Sequence, residues 1–232
     1  MKTIFLKLSA AAVAAALLSP AFAAGTAQDV VVGQHAMQRT YFDKNVGTSA
    51  GAMTVQTWDV TAGGKDFLAL CVEPGTPMYI GTQSYVADAF TFAKNGDSIA
   101  RLYGLYYDKI TGTTDESKKL GLSFQLALWE LNNDDGNLAT GTLAASVTGR
   151  NTTLATYAGA APVVQEAYSM LAAAQGSAAY AQQYTFTKYV SGSYQDFVVA
   201  QAVSAVPEPT TYAMLGLGLA LVGFTARRRK QG

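Results

Sequence analysis

Phe67-Leu68-Ala69-Leu70-Cys71-Val72 is an unbroken apolar run closed by Glu73-Pro74-Gly75. Its length suits a strand, and the lack of alternation marks a strand buried on both faces. Upstream, Ala62-Gly63-Gly64-Lys65 is a turn. Before it, Thr54 to Val60 carries Val55, Thr57 and Val60 among β-favouring residues, and Val30 to Val32 is a shorter strand. Beyond the run, Tyr79 to Phe92 is mixed, with a strand around Gln83 to Val86.

The period then changes. Asn95-Gly96-Asp97 interrupts the chain, and Ile99, Leu102, Tyr103 and Tyr106 follow at helical spacing, with Asp97 as the expected cap. Thr113-Thr114-Asp115-Glu116 has the spacing of a capping box, Thr113 with Glu116. The helix it opens carries Leu120, Phe124, Ala127, Leu128 and Leu131 on one face, widened by Leu122, Leu126 and Trp129. A helix apolar around so much of its circumference belongs in a core. Asn132-Asn133-Asp134-Asp135-Gly136 stops it. Residues 136–160 are rich in Gly, Thr, Ser and Ala and read as a long loop with weak strands. Pro162 fits the first turn of a helix bearing Val164, Ala167, Tyr168 and Leu171. Tyr184 to Val190 and Tyr194 to Ala202, split by Ser191-Gly192-Ser193, read as a closing hairpin. Strands, then helices, then strands predict an α+β domain, mainly antiparallel, with a helical insertion.

The two ends carry different signals. Lys2 and Lys7 precede an apolar run from Leu8 to Leu18, then Pro20 and Ala21-Phe22-Ala23. That order of charge, apolar core and small residues is a secretory signal peptide, so residues 1–23 are expected to be removed. At the other end, Pro207-Glu208-Pro209 precedes an apolar stretch from Tyr212 to Ala226, and Arg227-Arg228-Arg229-Lys230 follows. An apolar helix backed by a basic cluster stops in a membrane with its charges on the cytoplasmic side. The arrangement resembles the PEP-CTERM sorting signal. The resemblance implies that exosortase, a membrane protease, cuts at or near Pro207-Glu208-Pro209. The protein would then pass from the inner membrane to the cell surface or the extracellular matrix. The exported domain is thus expected to span residues 24–205, with 206–232 as the sorting tail and 212–226 as its transmembrane helix.

Charge narrows the function. The ends hold six of the 16 basic residues and one of the 16 acidic ones, so the interior keeps ten and fifteen, a net charge near −5. A mildly acidic domain lacks the basic footprint that nucleic acid requires. One cysteine and one histidine exclude a structural zinc site. Asn132, Asp134 and Asp135 lack the spacing of a calcium loop and read as a solvated helix end. No cofactor is expected.

Two islands remain. Cys71-Val72-Glu73 ends the buried strand, and Gln125-Leu126-Ala127-Leu128-Trp129 lies on the core helix. Gln125 is a primary amide among apolar neighbours, where each donor and acceptor must find a partner. These islands, with Ile99-Ala100-Arg101-Leu102 between them, resemble the bacterial surface thioester domains. The resemblance implies an internal thioester between Cys71 and Gln125, with Phe124 and Trp129 as shields against water. It also implies an unknown surface or matrix partner held covalently through an amine, with no enzymatic turnover. The alternative is a non-catalytic structural protein of the exopolysaccharide matrix in which Cys71 is inert. A cysteine hydrolase would need a base beside the thiol, and the sole histidine, His35, lies in a polar N-terminal segment.

Overall fold

The computed structural model describes residues 25–41, 52–143, 160–176, 180 and 182–203. The elements are β1 (Ala27–Tyr41), β2 (Ala52–Ala62), β3 (Lys65–Cys71), β4 (Gly81–Phe90), α1 (Gly96–Ile110), α2 (Asp115–Asn133), α3 (Ala160–Ala174), β5 (Tyr184–Val190) and β6 (Phe197–Ala202). The strands close a barrel in the order β1-β2-β3-β6-β5-β4, every ladder antiparallel. The three helices form one insertion between β4 and β5, as the order of sequence patterns predicted.

The buried run is β3, and Leu68 to Cys71 are buried on both faces. Closure explains why alternation is missing: one face meets the barrel interior and the other is covered from outside. Gly63 and Gly64 form the hairpin between Ala62 and its partner Lys65, with φ of 57° and 73°. A two-residue loop matching the strand twist needs φ above zero at both positions, which glycine accepts without strain. β3 follows β2 only as far as Leu70, opposite Thr57, and joins β6 from Ala69 to Cys71. Cys71 therefore sits at a ladder's end.

Helix α2 is the core helix, buried at every position from Gly121 to Leu131. It packs between α1 and α3 and against β1, β2 and β3. Its cap is Thr114, whose hydroxyl accepts from Ser117 N at 3.2 Å, so the expected Thr113–Glu116 box is displaced by one residue. Asn95, not Asp97, caps α1, and its side chain donates to Leu131 O at 2.8 Å. A tertiary bond to the end of α2 has displaced the local capping arrangement there.

Residues 136–143 contain no strand. The signal peptide, the remainder of the long loop (144–159) and the tail with its 212–226 helix lie outside the described residues. Among the described residues, no helix is long and apolar enough to cross a membrane.

Candidate functional site

The site is built on the backbone of Cys71. Where the ladder with β2 stops, the side-chain amide of Gln125 takes the place of a neighbouring strand. Cys71 N donates to Gln125 Oε1 at 2.8 Å, and Gln125 Nε2 donates to Cys71 O at 2.8 Å. Trp129 Nε1 donates to the same carbonyl at 2.9 Å. Gln125 and Trp129 stand one turn apart on α2 and reach the same residue, as i and i+4 positions do. Both are buried, so these bonds are shielded from competing water.

The thiol has different partners. Cys71 Sγ donates to Gln195 Oε1 at 2.8 Å and accepts from Trp58 Nε1 at 3.1 Å. Cys71 is 1% exposed. Burial pushes its thiol up to about 12, against a smaller lowering by the Trp58 bond and a further rise from Glu73. The sulfur is therefore a protonated, dry thiol at neutral pH. Gln195 is itself fixed: its N–H donates to Pro77 O at 3.1 Å, its amide donates to Glu73 O, and Tyr85 Oη donates to its carbonyl at 3.4 Å.

The structure thus places Cys71, Gln125 and Trp129 together. Phe124 points elsewhere and packs edge-on against Tyr103 at 4.9 Å, within an aromatic cluster with Tyr107 and Tyr184. The nearer aromatic at the sulfur is Trp58, which the sequence reading missed. A buried indole N–H must find an acceptor, but nothing along β2 says that the acceptor is a sulfur thirteen residues away. Gln195 was also missed, because a polar pair ahead of an apolar run reads as an ordinary strand entrance.

His35 is not beside the thiol. It is buried on β1, and its Nδ1 lies 2.9 Å from Asp59 Oδ1 across the β1–β2 ladder. It is the chain's one histidine, so no histidine stands beside the Cys71 thiol. Asn132 is half-buried and Asn133 is exposed. Their amides donate to Val72 O at 3.4 Å and 3.1 Å, which fastens the end of α2 to the residue after Cys71.

The tail is settled by comparison with known families. Residues 205–230 match the PEP-CTERM protein-sorting motif. The PEP-CTERM match contains Pro207-Glu208-Pro209, the apolar stretch and the four-residue basic cluster. No curated protein matches the chain. Among solved structures, the chain is similar to the N-terminal domain of the Streptococcus pyogenes pilus tip adhesin Cpa. That match has 14% identity and a TM-score of 0.41, covering 74% of this chain and 95% of that one. It is also similar to the N-terminal thioester domain of a surface protein from Clostridium perfringens. There the identity is 12% and the TM-score 0.39, covering 72% of this chain and 99% of the other.

Proposed function

We propose that this is an exported surface or matrix protein, sorted by its PEP-CTERM tail, that closes a thioester between Cys71 Sγ and Gln125 Cδ. The thioester then attaches the protein covalently to an amine on a partner. The observation that carries this reading is the two-bond clasp between the Gln125 amide and the Cys71 backbone. It fixes a primary amide beside a cysteine in a dry site.

The chemistry balances without a cofactor. Sulfur attacks Cδ, the C–N bond breaks, and the thiol proton leaves with the amide nitrogen as ammonia. An amide is a weak electrophile and a thiol held near 12 is a weak nucleophile, so proximity must supply much of the rate. The Cys71 N–H already donates to Gln125 Oε1, the oxygen on which negative charge grows during attack. The thioester survives because water is kept out. A partner amine then displaces the sulfur, forming an amide at Gln125 and restoring the Cys71 thiol. Exosortase would process the tail, and the 212–226 helix with Arg227, Arg228, Arg229 and Lys230 would hold the precursor in the inner membrane.

Intact mass tests the reading. The purified protein should be lighter than its processed sequence by one ammonia, and methylamine should add its own mass at Gln125. Native thiol reagents do not discriminate, because burial alone hides Cys71, so alkylation must be done after denaturation. Cys71→Ala and Gln125→Ala should each abolish the mass deficit. A deficit that survives Gln125→Ala but is lost in Gln195→Ala would transfer the bond to the amide now touching the sulfur. An undiminished mass, with Cys71 fully alkylated on unfolding, would leave the non-catalytic matrix protein as the answer.

A further inference from the structure

Beyond the last turn of α2 lies a cluster that the thioester chemistry does not use. Glu130 is fully buried at the end of the helix. Its Oε1 accepts from Gly136 N at 3.1 Å and Asn137 N at 3.0 Å. Its Oε2 is also buried and has no hydrogen-bond donor. Asp135 and Asp134 are the charged groups that act on this carboxyl, and one oxygen from each of the three falls within 4.8 Å of the others.

Three observations make this arrangement unfavourable as it stands. A buried carboxylate oxygen without a donor forfeits its hydration and receives nothing in exchange. Three carboxyls crowd at the helix C-terminus, the negative end of the helix dipole, and the last turn contains no basic residue. Among the described residues, no ion pair involves any of the three. Burial, and then Asp135 and Asp134, push the Glu130 carboxyl up to about 7. The remaining loop contacts are already assigned: Asp134 Oδ2 accepts from Thr142 and Leu143, and Asp135 accepts from Asn137 and Thr140. What the site lacks is positive charge.

We propose that Glu130, Asp134 and Asp135 bind a divalent cation of the calcium class. Oxygen donors alone, without histidine or cysteine, select hard cations. Opposite ligands of calcium stand about 5 Å apart, twice its 2.3–2.6 Å bond, so three oxygens within 4.8 Å fit one coordination sphere. Two of the three carboxyls belong to a loop, which suits the flexible shell of calcium better than the rigid octahedron of magnesium. With three protein carboxylates and water completing the shell, the affinity expected is that of extracellular modules, roughly 0.1–1 mM. The cation would fasten the end of α2, two residues past the Asn133 contact to Val72. This site stands whether or not the thioester forms.

The test uses the full chain in detergent, stripped with EDTA and titrated with calcium chloride or magnesium chloride by calorimetry, with thermal unfolding in parallel. Calcium should bind with a stoichiometry of one and raise the melting temperature, with magnesium much weaker. Asp135→Asn is a surface change that should fold normally, and it should weaken calcium binding roughly tenfold or more. Glu130→Gln should abolish the calcium-dependent rise in melting temperature. No calcium heat, with unfolding unchanged up to about 10 mM calcium (well above the 0.1–1 mM expected), would overturn the proposal. Stabilisation by mild acid alone, with no calcium effect at any pH, would do the same and assign the buried oxygen a proton instead.

Discussion

The proposed thioester makes a thermodynamic prediction that mass alone does not. Cys71 and Gln125 are 54 residues apart in sequence. A covalent link between them closes a loop that, in a chain-entropy treatment like that of a disulfide, stabilises the fold by about 4 kcal/mol. Cys71→Ala and Gln125→Ala would each lose that amount, and the double variant would lose it only once. The double-mutant cycle should therefore show a coupling energy of about 4 kcal/mol. Without the bond the structure requires a different result. Gln125 touches the N–H and C=O of residue 71, not its sulfur, so alanine at position 71 keeps both bonds. Gln125→Ala alone would then cost about 1–3 kcal/mol for the orphaned Cys71 N–H. The two changes would add, with a coupling below about 1 kcal/mol. Urea unfolding of the four proteins, followed by fluorescence of Trp58 and Trp129, measures all the terms. Additivity would refute the covalent link even if the mass were ambiguous, and equal m-values would confirm that one transition is being compared.

Replacing Glu208 by Ala, inside the matched sorting motif, should leave full-length protein in the inner membrane; normal release of that variant would remove the sorting claim. Trp129→Phe removes the indole donor to Cys71 O: where the Gln125 amide is intact its Nε2 still serves that carbonyl and urea unfolding should show a loss of about 1 kcal/mol, whereas in the thioester-linked protein the carbonyl is orphaned and the loss should be about 1–3 kcal/mol. Where Cys71 is a free thiol, as in Gln125→Ala, its folded value of about 12 lies above the ordinary 9, so its stabilising share is full below pH 9 and is lost as pH rises to 12. Three units correspond to about 4 kcal/mol, and the Cys71→Ala/Gln125→Ala double variant, lacking the thiol, should lack that alkaline limb when unfolding is followed against pH.

Much of the fold was legible because its local signals and its tertiary demands agree. Phe67 to Val72 is apolar without alternation, and the structure gives it a strand covered on both sides. The wide apolar face of α2 is a helix buried through its centre. Barrel closure was not legible, since it depends on β1 pairing with β4 and β3 with β6, contacts between segments that carry no mark of one another. The caps failed for a similar reason. Asn95 gives its amide to Leu131 O rather than to its own helix, and no local rule encodes that choice. In the site, Gln125 was visible because a lone amide in an apolar helix requires a partner. Trp58 was hidden because it suits its own strand without further comment, and Gln195 because it sits in the polar entrance to β6. Glu130 was hidden because a glutamate near a helix end looks solvated until the following loop folds over it.

The donors on α2 also explain how bond exchange could occur without unfolding. Gln125, Trp129 and Asn133 recur every four residues, a stripe of amide and indole donors along one side of the helix. Gln125 and Trp129 bond residue 71, and Asn133 bonds Val72 O, so the stripe runs along the end of β3. Trp129 shares the Cys71 carbonyl with Gln125 one turn before it, and Asn133 one turn later reaches the next carbonyl, Val72 O. Forming the thioester removes only the first of these contacts, because Gln125 loses its nitrogen. Trp129 and Asn133 would keep theirs, and in the proposed reaction the helix would stay docked while the bond at Gln125 passes from nitrogen to sulfur and from sulfur to an amine. A variant lacking both later donors, Trp129→Phe/Asn133→Ala, should therefore fold yet close the thioester more slowly, seen as an incomplete ammonia deficit in freshly purified protein. A full deficit at the wild-type rate would show that Gln125 alone sets the register.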